Sequence, residues 1–266
     1  MISFWIQTLV CIAAMGAEGL NRGDLEMNLD KKDNAAIKQA FKSNAEEVLP
    51  FIDEYFEGGL AATEAGKPKS EVQARYDRGV AFAKLADEAL GGDTFSKYAN
   101  AFTHWTPAQQ KDFRQGQAEF GKASKVLATD PAAALAHLEK SLKLCTPLGD
   151  TWGQAMCMSK VAVARHALKK YAEAIEAATK AAALNESIHF LGSQAGDLLI
   201  RAQCHADTDD PKAAVRDVKH AVEVARRMKD AKRRSDVLKK CEAMYTRLGQ
   251  NDAADALKKE ASPPGK

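Results

Sequence analysis

Gly116-Gln117-Ala118-Glu119-Phe120-Gly121-Lys122-Ala123 is one letter short of a phosphate-binding loop. In such a loop the glycines bare backbone amides to phosphate, a lysine reaches the outer oxygens, and a closing hydroxyl holds Mg²⁺. Ala123 has no hydroxyl, and the segment reads as helix with no strand pattern ahead of it, so nucleotide binding is not expected. Histidines His104, His137, His166, His189, His205 and His220 are scattered, with no H-x-x-x-H or H-E-x-x-H spacing to put two on one helical face. Cys204 and His205 are consecutive, so on a helix they point about 100° apart and cannot serve as nucleophile and base. Glu173 and Glu176 read as a solvated helix face. No nucleophile, carboxylate pair or metal cluster converges, so the expected role is binding without catalysis, cofactor or metal.

The strongest binding chemistry is a run of cations: Arg226, Arg227, Lys229, Lys232, Arg233, Arg234, Lys239 and Lys240, diluted by Asp230 and Asp236. Such a run is ordinarily a solvated face whose charges complement helix ends. It could also grip an acidic protein, or the phosphates of nucleic acid or an anionic surface. The whole chain carries a net charge of only +2, too small to imply a polyanionic partner for the molecule as a whole, whatever local patches do.

The elements that must carry these residues announce themselves by repetition. Pro131–Cys145, Tyr171–Asn185, Pro211–Ala225 and Asn251–Ala261 align at a constant step of forty residues. Ala134, Ala174, Ala214 and Ala254 fall in one column, and Ser141, Ala181, Ala221 and Ala261 in another. A fixed period of this size marks stacked supersecondary units. With Gly 17 and Pro 8 among 266 residues, helix formers dominate and an all-α fold is expected. Asp130-Pro131 and Asp210-Pro211 pair an N-capping carboxylate with a proline in the first turn. Thr106-Pro107-Ala108-Gln109 adds a capping-box partner. Each period holds two helices, a helical hairpin. First helices are expected at about 108–129, 151–169, 190–205 and 231–248, with partners opening at Pro131, Tyr171, Pro211 and Asn251. The alanine columns let partner helices pack at the close end of the usual ~8–10 Å.

Before the repeats the grammar is looser. Residues 1–17 carry no charged side chain, and the run Ile2–Met15 is too short to span a membrane but suits an export leader. Export is therefore expected if the leader is genuine and a cytoplasmic location otherwise, with no membrane contact beyond that segment. Residues 18–34, with Asn21, Gly23, Asn28 and Asn34, read as a linker. Residues 35–105 read as a helical region in which Pro50 kinks or splits one segment and Gly58-Gly59 weakens its end. Ser70 and Gln73 have capping-box spacing, and Phe95, Tyr98, Phe102 and Trp105 form a core stripe. Residues 106–261 hold the repeats and a terminal capping helix, and 262–266 a tail. Beyond Cys11 in the leader, Cys145, Cys157, Cys204 and Cys241 lack any C-x-x-C pair and read as buried apolar residues with no disulfide framework; Cys204 and Cys241 fall close enough in the repeat frame for a bridge only if the protein is exported, and none is expected.

The stretch Met158–Asn185 resembles a tetratricopeptide repeat: Ala162 stands for the small residue of its first helix, Tyr171 to Glu176 for the opening of its second, and Lys180-Ala181 and Leu184-Asn185 for its close. Met158, Arg165 and Glu186 depart from the family pattern, and a forty-residue step exceeds the family's usual ~34, which leaves HEAT or armadillo-like repeats as the alternative. The resemblance implies a right-handed α-solenoid of stacked antiparallel hairpins, a scaffold holding a peptide or helix of a partner protein in a groove of first helices. Carried over by position, Met156, Ser159, Val163, Leu199, Gln203, Lys239 and Ala243 would line that groove. No Lys and Asn set repeats as in members that clamp a C-terminal carboxylate.

Overall fold

A computed structural model describes residues 19–261, so the expected leader and tail lie outside the described residues, as does the side chain of Ala261. Among the described residues every regular element is helical. Two compact units divide the chain between Asp112 and Phe113. The expected boundary at 105/106 marks a helix start instead: α6 (Pro107–Val126) opens there, and the division falls within it. Capping chemistry locates where a helix begins, not where packing changes hands.

The first unit contains α1 (Arg22–Asp30), α2 (Asn34–Ser43), α3 (Ala45–Glu64), α4 (Lys69–Leu90) and α5 (Thr94–His104). Its opening helix overturns the linker reading of 18–34. Asn21 is a cap rather than a breaker, its side chain accepting from the Asp24 amide at 3.2 Å. Leu25 is buried, the Arg22 guanidinium lies 5.0 Å from the centre of the Tyr55 ring, and Asp30 accepts from Arg78 at 2.9 Å. Nor does Pro50 split α3. It stands near the helix start, where its missing N–H removes one bond, and the break comes earlier, at Asn44. Gly59 is a close-packing position and not a weak end, since a Cβ there would lie 2.3 Å from the Tyr76 ring. The Ser70–Gln73 box does not form either: Pro68 caps α4, and Gln73 donates to Asp77 at 2.8 Å. The aromatic stripe is buried as expected, Phe95, Tyr98, Phe102 and Trp105 together, and the Tyr98 hydroxyl donates to the buried carboxylate of Asp53.

From Pro131 onward the second unit keeps a strict beat. Helices α7 (Pro131–Cys145), α8 (Thr151–Ala167), α9 (Tyr171–Ser187), α10 (Leu191–Asp207), α11 (Pro211–Arg227), α12 (Ala231–Arg247) and α13 (Asn251–Ala261) begin twenty residues apart. The turns carry the same beat. Gly149, Lys169, His189, Asp209 and Gly249 all have positive φ, between 58° and 71°. After the last four, the next amide reaches back five residues: Lys170 N to Arg165 O (2.9 Å), Phe190 N to Asn185 O (2.8 Å), Asp210 N to His205 O (2.8 Å) and Gln250 N to Tyr245 O (2.9 Å). This is the Schellman closure, which satisfies the orphan carbonyls of one helix and hands the chain at once to the next cap. Of those next caps only Asp210 carries an acceptor to a helix amide, Ala213 at 2.9 Å, whereas Lys170 and Phe190 make no side-chain cap bond; Asp130, Asp150 and Asp230, after other turns of the unit, accept from the Ala133, Gly153 and Arg233 amides at 2.8–2.9 Å. Thr106 and Gln109 form the expected box at the head of α6, the Thr106 amide donating to Gln109 Oε1 at 2.9 Å.

Close helix contact follows from the small columns. Ala134, Ala174, Ala214, Ala181 and Ala221 are fully buried, and Ala254 and Ser141 nearly so. At one crossing the Ser141 hydroxyl donates to the backbone carbonyl of Gly116 at 2.8 Å, across α7 to α6. That contact explains the glycine of the phosphate-loop lookalike: a Cβ on Gly116 would already touch the Leu144 Cβ at 3.5 Å. The lysine of the lookalike is likewise engaged, Lys122 donating to Glu119 at 2.6 Å on the same helix.

Candidate partner-binding face

Within the second unit consecutive helices pack in pairs, and the first helices also touch each other, α8 against α10 and α10 against α12. Two polar links tie their ends together: Asp207, the last residue of α10, accepts from His166 of α8 at 2.7 Å and from Arg247 of α12. Burial works against the Asp207 carboxylate, yet hydrogen bonds from Arg247 and His166 hold it below the usual aspartate range. One face of α8 is set by helical spacing, with Met156, Ser159, Lys160 and Val163 in line. Met156 and Ser159 are half-buried and Val163 is 36% exposed. The half-buried Lys160 ammonium lies 5.3 Å from the centre of the Phe120 ring of α6, and burial lowers its pKa.

The other groove candidates divide. Gln203 is half-buried on α10, and Lys239 and Ala243 are exposed on α12. Leu199 is 7% exposed and belongs to the core with Leu198, Val218 and Val222, so it cannot line a surface. Its column-mate Ser159 borders a polar cluster that no column predicts. Asn185 of α9 donates to Ser159 Oγ at 3.3 Å and to Asp197 Oδ2 of α10 at 2.7 Å, while Ser159 gives its own proton to the Ala155 carbonyl at 3.0 Å. Burial pushes the Asp197 carboxyl up to about 7, and the hydrogen bond from Asn185 only partly opposes it. A second cluster sits beside it: Arg201 clamps Asp217 of α11 with two bonds, at 2.8 and 2.6 Å, and reaches Thr179 of α9 at 3.1 Å. At the α6–α7 contact, Glu119 accepts from Lys122 and His137, both at 2.6 Å, and these bonds hold its carboxyl low.

The far side of α8 is different. Met158 and Arg165 face a cavity of about 170 Å³ that α7 and α9 complete with Glu139, Glu176 and Lys180. Arg165 is shared there between Glu139 at 4.0 Å and Glu173 at 3.5 Å, and Lys180 is paired with Glu176 at 2.6 Å, while the buried Arg165 Nε makes no hydrogen bond.

The basic run is partly consumed by the fold. Arg226 makes a two-bond pair with Glu260 of α13 at 3.0 and 2.7 Å, and Arg234 donates to the Met228 carbonyl at 2.7 Å, closing the end of α11. Arg233 pairs loosely with its neighbour Asp230 at 3.8 Å. Arg227, Lys229, Lys232, Lys239 and Lys240 stand exposed around the α11–α12 corner. Among the described residues no group of three His, Cys, Asp or Glu side chains is arranged to hold a metal, and no helix is long and apolar enough to cross a membrane.

No protein-family model matches the chain, and no curated protein matches it in sequence.

Proposed function

We propose that this protein is a non-catalytic scaffold that holds a protein partner, and that the partner lies along the face of α8, α10 and α12. One observation carries the reading: each first helix packs against the next first helix more extensively than successive second helices pack against each other. Layers packed in this way curve toward the tighter side, which gives the first helices the inner surface of a solenoid of the tetratricopeptide kind. Right-handed stacking and membership of that family are part of the same proposal, supported by the hairpin beat and the buried alanine columns. Met156, Val163, Gln203, Lys239 and Ala243 are the contact residues, and Ser159 and Leu199 support them from beneath.

Photo-crosslinking tests it. A photoreactive residue at position 163, 203 or 243 should capture a partner from the native source, and one at exposed Glu176 or Lys219 on the second helices should not. Capture from the second helices alone would sink the assignment. A second reading rests on the exposed cations Arg227, Lys229, Lys232, Lys239 and Lys240: an acidic protein or a polyanion docks on the α11–α12 corner. Retention on heparin that weakens steeply with salt, and is lost when Lys239 and Lys240 become Glu, would favour it. The proposed site of action is outside the cell, as the leader suggests, and the mature N-terminus read by mass spectrometry decides that point.

A further inference from the structure

Forty-residue columns run across the first helices, and a contact traces one of them. Phe120 on α6, Lys160 on α8, Ile200 on α10 and Lys240 on α12 share that column, and the Lys160 ammonium lies 5.3 Å from the centre of the Phe120 ring. Ile200 is half-buried against the core. Among the described residues neither lysine forms an ion pair, although burial already works against the charge of Lys160. One turn before Ile200, on the same face, stands Gly196, half-buried inside α10. A glycine in mid-helix is destabilising relative to alanine. Nothing in the fold demands it: a Cβ at Gly196 would meet no atom within 4 Å, whereas at Gly59, Gly79 or Gly116 it would meet a neighbouring helix. Gly121 of α6 is as open but lies off this line, since its column continues in the buried Val161.

Building on the scaffold reading above, we propose that the strip between Gly196 and the Lys160–Ile200–Lys240 column seats an extended acidic segment of the partner, whose backbone crosses α10 at Gly196 and whose carboxylates meet Lys160 and Lys240. An incoming carboxylate gives the half-buried Lys160 the counter-charge it lacks, and Lys240 receives a second at the far edge. The missing Cβ of Gly196 lets a second backbone come close where any other residue would hold it off.

Helix spacing sets the pattern of acids. Two first-helix steps separate α8 from α12, and at the usual ~8–10 Å between packed helices they span about 16–20 Å. An extended chain rising about 3.3 Å per residue covers that in about five or six residues. Side chains alternate, so only an even count turns both carboxylates toward the helices, and the acids stand six residues apart. Small residues between them let the backbone settle at Gly196, and a side chain on the inner face reaches Ile200. Asp236 limits the register: it shares the Gly196 column, lies exposed one turn before Lys240, and repels an acid placed in its own row.

A display library of random nonapeptides, panned against the full chain at low salt, tests it. Enriched peptides should carry two Asp or Glu residues six apart with small residues between them. Binding of a synthetic enriched peptide should weaken about 2–5-fold in Lys160→Ala and in Lys240→Ala. Gly196→Leu, whose side chain starts into open space in the free protein, should keep native helicity and lose the peptide. Gly196→Ala should melt about 2–4 °C higher than wild type and yet bind the peptide less tightly. The proposal is overturned if no peptide is enriched, if the enriched peptides lack the acid pair or carry it at another spacing, or if they bind Gly196→Leu as tightly as wild type. Photo-crosslinking from positions 163, 203 and 243 separates the two failures. Capture of a partner there without enrichment of the acid pair sinks the acidic segment and leaves the scaffold standing, whereas capture from the second helices alone sinks both.

Discussion

Asp197 is where the structure makes its sharpest demand. Its carboxyl is enclosed between α8, α9 and α10, with the Asn185 amide at 2.7 Å as the close donor. Burial raises its pKa from an ordinary 3.8 to about 7. The folded state thus holds this proton more tightly than the unfolded chain does. At about 1.4 kcal/mol per pH unit, that difference is on the order of 4 kcal/mol. Because the folded pKa is the higher one, the stabilising contribution is complete below about pH 4, declines as pH rises from about 4 to about 7, and is gone above it. Acidic groups held low, Glu119 and Asp207 among them, act in the opposite sense at lower pH, so the wild-type curve alone is not diagnostic. The difference between wild type and Asp197→Asn is. Asparagine keeps the shape and an acceptor for Asn185 but cannot ionise. Urea denaturation of both proteins from pH 4 to 8 should show the variant gaining on wild type by up to ~4 kcal/mol as pH rises, with the change centred between pH 4 and 7. A flat difference across that range would show that Asp197 titrates like a solvated carboxylate, and the enclosure described here would be wrong.

Three further perturbations probe the beat itself. Ala174 has no exposed surface, so Ala174→Leu should overpack the α8–α9 contact and cost ~1–3 kcal/mol in denaturant titration; an unchanged midpoint would contradict the close packing. Asp210→Ala removes the acceptor for the Ala213 amide at 2.9 Å and should lower stability by ~1 kcal/mol, while Asp210→Asn should restore most of it. Lys169 holds φ at 58° in the α8–α9 turn, where an L side chain is strained, so Lys169→Gly should stabilise by ~1 kcal/mol and raise the melting temperature by ~2–4 °C; a fall in melting temperature would argue that the turn is not left-handed there.

What could be read from sequence is what local chemistry determines. Thr106, Asp130 and Asp210 cap helices because a side-chain oxygen two or three residues ahead of free amides has little else to do, and the alanine columns are buried because the repeat forces equivalent positions into equivalent contacts. Asn21 and Pro50 mislead for a related reason: one residue type serves as breaker or cap, splitter or second-turn residue, and its place relative to the helix start decides which. Asp197 is illegible because its column holds Cys157 and Val237, so periodicity argues for an apolar residue where a carboxyl is buried. The His166–Asp207–Arg247 links escape for a smaller reason: Asp207 stands one residue off the forty-residue column that starts at His166, and only packed helices reveal that the ends meet. Leu199 follows the same logic in reverse. Its column-mates Ser159 and Lys239 are half-buried and exposed, and the burial of Leu199 depends on where α11 lies.

The same placements constrain how a partner can be held on the proposed face. Among the described residues the exposed large apolar side chains are Met27, in the first unit, and Val163, at 36%. Full burial of an exposed valine contributes at most ~2 kcal/mol, and Val163 has already spent most of that within the fold. Micromolar binding requires about 8 kcal/mol net of association costs. An apolar anchor dropping into the groove therefore cannot carry the affinity, although burial of apolar groove surface is what the repeat resemblance first suggests. The remaining chemistry is polar and distributed: Gln203 on α10, Lys239 on α12, and the Lys160 ammonium held against the Phe120 ring. Groups spread over three helices are met together only by an extended segment, and two lysines favour acidic side chains on it. Charge complementarity of that kind speeds encounter and weakens with salt. Lys239→Glu should accordingly slow association with a captured partner, leave dissociation nearly unchanged, and abolish most of the salt dependence; an effect confined to dissociation would instead place Lys239 in a buried contact that the structure does not contain.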